Sequence, residues 1–158
     1  MKRIILSLGL VAVGLGLLGA STTRAQAAAT HSKPVSPEQP SRIDPAQLMA
    51  ALSVIESGDN DKAIGKAGEV SRYQIIPRIW RAYGGGNPRN AAEAKRVATK
   101  IMAVRIEQFE SKHGRQPTLV EVYALWRSPV RALQLKVSAA VRECGTRFSN
   151  LVEDSQES

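Results

Sequence analysis

Cysteine is almost missing from this chain. Cys144 stands alone, so no disulfide can close within one molecule. A lone thiol leaves pairing between chains or reaction open. Its helically spaced neighbours Ala140, Val141 and Phe148 point instead to a small apolar residue turned into a core. Aromatic residues make up only 4%, so a core must be built mainly from Ala, Val, Ile and Leu. Acidic residues are outnumbered 14 to 22 by Lys and Arg, which gives a net charge of +8. That balance suits anionic partners, whether nucleic acid, acidic lipid or an anionic wall polymer. There is no internal repeat. Asp59-Asn60-Asp61 faintly resembles the start of a calcium loop, but the remaining ligand spacing is missing. The segment reads as a turn, and no metal or other cofactor is expected.

Long apolar runs are absent except at the start. Lys2 and Arg3 precede an apolar run from Ile4 to Ala20, and small residues follow through Ala25 and Ala27. Basic start, apolar middle and small-residue end are the plan of a secretory signal peptide. The run is short for a membrane span and carries several glycines, so cleavage near residue 25 is expected over a retained anchor. No cysteine lies near that point, which excludes lipid attachment there. Removing residues 1–25 takes away Lys2, Arg3 and Arg24 and no acid, leaving a charge of +5. The mature chain is therefore expected to be exported, periplasmic or extracellular. Nucleic acid then falls away as a partner, while an anionic envelope surface remains.

Residues 26–43 are rich in Ala, Ser and Pro. Prolines at that density break both helix and strand, so an extended linker is expected. Asp44-Pro45 opens a domain over residues 44–152 as helix cap and first turn. Leu48, Ala51, Leu52 and Ile55 mark one apolar face, and Gly58 stops the helix. A glycine-punctuated segment follows, with β-prone residues from Val70 to Ile76. It is expected to be a short irregular or β-hairpin insertion. Pro77 starts a short helix stopped by Gly84-Gly85-Gly86. Asn87-Pro88 is expected to cap a long amphipathic helix to about Lys112, with His113 solvated at its end. Thr118 and Glu121 form a capping box for a helix through Trp126. A last helix is expected from Val130 through Phe148, carrying Arg131, Lys136, Arg142 and Arg147, with an acidic frayed tail over 153–158. The fold class is mainly α, of about five helices.

Two stretches bear chemistry. Glu56 lies on the last turn of the first helix, beside its apolar stripe. The helix dipole disfavours an anion there, and partial burial adds to this, so its pKa is expected to rise. Glu69, after Gly68, is the natural second acid if the loop folds back; its alternative is an ion pair with Arg72 or Lys66. Glycoside cleavage needs a protonated acid near neutral pH and commonly a second carboxylate. Tyr73 and Gln74 offer hydrogen bonds and a ring face to N-acetyl sugars, with Tyr73 equally suited to a core and Gln74 to bracing Glu56. Trp80, Tyr83, Tyr123 and Trp126 suit sugar stacking or core filling, Trp80 more the core.

Ile55-Glu56-Ser57-Gly58, the loop containing Gly68, and Tyr73-Gln74-Ile75-Ile76-Pro77 resemble the catalytic region of lytic transglycosylases and goose-type lysozymes. Tyr73-Gln74-Ile75 with Trp80 behind it also resembles invertebrate-type lysozymes. The resemblance covers about residues 45–130 and implies an α+β lysozyme-like fold. It implies cleavage of the β-1,4 bond between N-acetylmuramic acid and N-acetylglucosamine in peptidoglycan glycan strands. On that resemblance Glu56 would be the general acid; beside it, the residues themselves offer Glu69 as a second catalytic acid and Ser57, Tyr73, Gln74, Tyr123 and Trp126 as candidate substrate-binding residues. In a transglycosylase the Glu56 carboxylate would then act as base on the muramic 6-hydroxyl; in a lysozyme, water attacks. Two departures stand out. The superfamily carries an aromatic-Asn-small motif where this chain has Trp126-Arg127-Ser128, and arginine donates hydrogen bonds but accepts none. Glu69 stands where many transglycosylases have a small residue.

Overall fold

A computed structural model describes residues 44–156. The signal peptide expected over 1–25, the linker over 26–43 and the end of the acidic tail lie outside the described residues. Six helices follow in order: α1 Pro45–Ser57, α2 Pro77–Ala82, α3 Ala91–His113, α4 Leu119–Arg127, α5 Pro129–Ala132 and α6 Ala139–Asp154. The chain is mainly α, as its periodicity predicts. The insertion between α1 and α2 is irregular. Its β character is limited to two isolated antiparallel bridges, Ile64 with Val70 and Val70 with Ile75, so the hairpin alternative does not form.

The apolar stripes explain the packing. Leu48, Met49, Ala51 and Leu52 of α1, Val97, Ala98, Ile101 and Met102 of α3, Val122, Tyr123 and Trp126 of α4, and Phe148 and Val152 of α6 share one core. Helix α4 packs most extensively on α6, and α1 packs on both α6 and α3. Gly145 lets α6 approach closely: a Cβ there would meet the Val120 side chain at 3.0 Å and its backbone oxygen at 3.2 Å. This contact justifies a glycine inside a helix, where it otherwise costs about 1 kcal/mol against alanine. Trp80 is buried in the core, as expected, and its Nε1 donates to the Gly86 carbonyl at 3.3 Å.

Several expected boundaries move. The cap of α3 is Asn90, whose side chain accepts from Glu93 N at 2.9 Å, and not Asn87. Asn87 and Pro88 make a turn before it. The Glu93 carboxylate folds back onto the Gly86 and Asn87 N–H groups, at 2.6 and 3.0 Å. The expected last helix is two. Leu135 adopts φ 56°, which a helix cannot carry, and Lys136 N closes onto the Arg131 carbonyl at 2.9 Å. Ser138 then caps α6. Of the four basic residues placed on one helix, only Arg142 and Arg147 share α6. The tail expected to fray after Val152 stays helical to Asp154. Cys144 is half-buried against the core, short of the full burial expected. His113 is not merely solvated: its ring lies 4.4 Å from that of Phe109, and Nε2 sits 3.2 Å from the Leu133 carbonyl.

The capping box at α4 forms as its spacing predicts. Thr118 N donates to Glu121 Oε2 at 2.8 Å, and Glu121 N donates to Thr118 Oγ1 at 3.3 Å. Arg115 adds a forked pair to the same carboxylate at 2.6 and 2.8 Å. The Arg115 hydrogen bonds pull the Glu121 pKa down to about 2, and the Thr118 N–H adds to the effect. A depressed folded-state pKa gives stability that is present above the free value of 4.5 and is lost as pH falls through about 2. Because Arg115 is largely exposed, screening reduces the gain. Glu121→Gln is expected to lose about 1–2 kcal/mol at pH 7. Urea titrations should show that difference shrinking as pH drops toward the folded-state value.

Candidate active site

The end of α1 is built to hold a side chain still. Gly58, at φ 63°, stops the helix, and its N–H reaches the Val54 carbonyl at 2.9 Å. Asp59 N closes onto the Ser53 carbonyl at 3.2 Å, the paired arrangement of a left-handed helix stop. Ser57 Oγ donates to the Arg72 carbonyl at 2.8 Å and accepts from Asn60 N at 3.1 Å. Arg72 forks onto both carboxylate oxygens of Asp61 at 2.7 Å and reaches Asp59 at 3.3 Å. The loop between α1 and α2 is thus stapled to the last turn of α1. Ser57 acts there as a brace between helix and loop.

The far side of that loop is a tight turn. Val70 and Ile75 exchange backbone hydrogen bonds at 2.8 and 2.9 Å. Ser71 and Gln74 inside it take φ 67° and 49°, strained values for residues with a Cβ. Gln74 Nε2 donates to the Ser71 carbonyl at 3.1 Å and braces the turn. Gly65 leaves room for the rest: a Cβ there would collide with Glu69 Oε2 and Gln74 Oε1. Glu69 and Gln74 are therefore brought side by side, facing a cavity of about 150 Å³ that Ile79, Arg105, Trp126 and Arg127 also line.

Glu56 lies beside this cavity, with its side chain 4% exposed. Its Oε2 accepts from Arg127 at 3.1 Å. Oε1 is buried and has no hydrogen-bond partner among the described residues. Burial drives the Glu56 pKa up. The positive charge of Arg127 opposes this, as does the nearby Tyr123 hydroxyl, while the charge of Glu69 adds to the rise; the net direction is upward. Burial likewise pushes the Tyr123 phenol well up from its ordinary value, so it stays protonated beside the acid. Glu69 moves the other way. Backbone N–H groups, its own and that of Ala67 at 2.9 Å, hold its carboxylate ionised, and Arg127 adds to that. Two carboxyl groups in electrostatic contact with their pKa values pushed apart are the arrangement that divides acid from base.

The predicted residues separate into two groups. Glu56, Glu69, Gln74, Tyr123 and Trp126 gather at or beside the cavity. Glu69 does not pair with Arg72, which is engaged by Asp59 and Asp61. Tyr73 does not join them: it is 2% exposed and its phenol is set among Ser53, Asp59 and Arg72. Of the two places open to it, core and sugar face, its ring takes the core. Gln74 lines the cavity but braces its own turn rather than Glu56. Trp126 is 7% exposed, and the Arg105 guanidinium lies over its ring at 5.2 Å. Arg105 was not foreseen. Its signal is an arginine midway between Ile101 and Phe109, four residues from each, inside an otherwise apolar helical stripe. No cluster of His, Cys, Asp and Glu suited to a metal occurs among the described residues.

Protein-family models, curated proteins and solved structures give no match to the chain.

Proposed function

We propose that the protein is an exported glycosidase that cleaves the β-1,4 bond between N-acetylmuramic acid and N-acetylglucosamine in peptidoglycan, as a lytic transglycosylase or a lysozyme. The observation that carries this reading is the buried Glu56 carboxyl, with raised pKa and one unpartnered oxygen, set against the ionised Glu69 beside one cavity. Glu56 protonates the glycosidic oxygen. Glu69 stabilises the positive charge that develops on the sugar ring or orients the attacking group. The Tyr123 hydroxyl steadies the Glu56 carboxylate once its proton has left. Gln74 supplies an amide to an N-acetyl or hydroxyl group of the sugar.

The test is incubation of the full-length chain with purified sacculi, followed by mass spectrometry of soluble fragments. Anhydro ends identify attack by the 6-hydroxyl, and reducing ends identify attack by water. Fragments released equally by the Glu56→Gln chain would remove Glu56 from the mechanism. One observation favours a second reading, a wall-binding module without turnover: Arg127 sits on Glu56 at 3.1 Å. Binding to sacculi with no fragment of either kind would select it.

A further inference from the structure

The cavity carries two guanidinium groups, and only one of them has a carboxylate partner. Arg127 reaches Glu56 with NH1 and keeps its side chain 44% exposed. Arg105 donates NH1 to the Leu125 and Trp126 carbonyls at 3.1 and 2.8 Å and makes no ion pair among the described residues. Its Nε and NH2 have no protein partner there. Burial disfavours its charge, with only the Tyr83 phenol acting in the opposite direction. A desolvated cation without an anion is costly to keep. Trp126 offsets part of that cost through its ring face. Isoleucines form the apolar wall of the cavity, and among the described residues Glu69 is the one acid that lines it.

We propose that this cavity is the subsite for a carboxylate-bearing substituent on the substrate sugar, bound between Arg105 and Arg127. The proposal rests on the glycosidase reading above and narrows its substrate class to acidic glycans. Muramic sugars supply that chemistry on the lactyl ether at the 3-position, or one residue further out at the first carboxylate of a stem peptide. A carboxylate taking two guanidinium groups forms charge-assisted hydrogen bonds, among the stronger polar contacts available to a protein. It also competes with Glu56 for Arg127. Binding of the acidic substituent thus draws Arg127 off Glu56 and leaves the buried carboxyl facing Tyr123 and Glu69, where it holds its proton more firmly. The ion pair that closes the acid in the free protein becomes the contact that recognises the substrate.

Calorimetry on the full-length chain tests this with three disaccharides of N-acetylglucosaminyl-N-acetylmuramic acid: the free lactyl acid, its amide, and its L-alanyl derivative. The acid is expected to bind at least tenfold tighter than the amide. In Arg127→Gln, whose side chain is too exposed to threaten the fold, that preference should fall to within twofold. The alanyl derivative distinguishes the two sources: binding as tight as the acid assigns the site to the stem carboxylate, binding as weak as the amide to the lactyl group. Equal binding of acid and amide by a chain that still cleaves sacculi overturns the subsite and leaves the glycosidase. An acid preference untouched in Arg127→Gln also overturns it. If no disaccharide binds and no sacculus is cleaved, the glycan reading itself falls, and the subsite with it.

Discussion

A Glu56→Gln chain is expected to release glycan fragments roughly 10²–10⁴-fold more slowly than the unsubstituted protein, without loss of fold. The two outcomes together separate catalysis from structure. Gln keeps the shape of the side chain but has no proton to give. In stability, the sign follows from the direction of the shift. A group whose folded-state pKa is raised contributes stability that is fully present below its free value of 4.5 and is lost as pH rises through the folded value. At pH 7 the native carboxyl is therefore a burden that Gln removes. The substitution also takes from Arg127 its anion, but that guanidinium is 44% exposed and water replaces much of what it loses. Thermal unfolding at pH 7 should show a midpoint equal to or above that of the native chain, with the gap closing toward pH 4. Retained cleavage, or a midpoint many degrees lower, would contradict the assignment.

The largest loss of stability is expected at Phe148. Its side chain is fully buried on α6, and its ring centroid lies 5.8 Å from that of Tyr123 on α4. The pair joins the two helices that pack most extensively. Truncation to Ala removes the ring and leaves a cavity that the neighbouring helices cannot fully close, so Phe148→Ala should cost about 3–5 kcal/mol in urea unfolding. The consequence reaches the site. Tyr123 packs against Phe148 and interacts with the Glu56 carboxyl, so a hole beside its ring frees the phenol to move. Phe148→Leu refills part of the space and should lose markedly less. A cost below about 1 kcal/mol for the Ala variant would mean that α6 contributes little to the core.

Much of the helical skeleton was legible because its signals are local. The Asp44-Pro45 start, the Gly58 stop and the Thr118–Glu121 capping box each depend on residues within one turn, and each forms as read. The break after α5 was not legible from apolar spacing, because Val130, Leu133 and Val137 continue the helical period across it. Ser138, a helix-capping residue, was the overlooked sign. The α3 start was misplaced for a similar reason: Asn87 and Asn90 both suit a cap, and Glu93 decides between them by folding back to the loop. At the site, the elevated Glu56 pKa is expected from the helix end together with partial burial, and burial is the larger cause. Tyr73 and Gln74 are adjacent in sequence and diverge in space, since the positive φ at Gln74 turns the chain there. The Arg127–Glu56 pair joins residues 71 positions apart, and no local pattern announces such a contact.

The most direct test of the account is a titration of the Glu56 carboxyl carbon by NMR in the full-length chain, assigned by its disappearance in Glu56→Gln. A midpoint above the free glutamate value of 4.5, rising further in Arg127→Gln, is the expected result. A midpoint at or below the free value would show that Arg127 and Tyr123 outweigh burial, and that Glu56 holds no proton to give to a glycosidic oxygen near neutral pH.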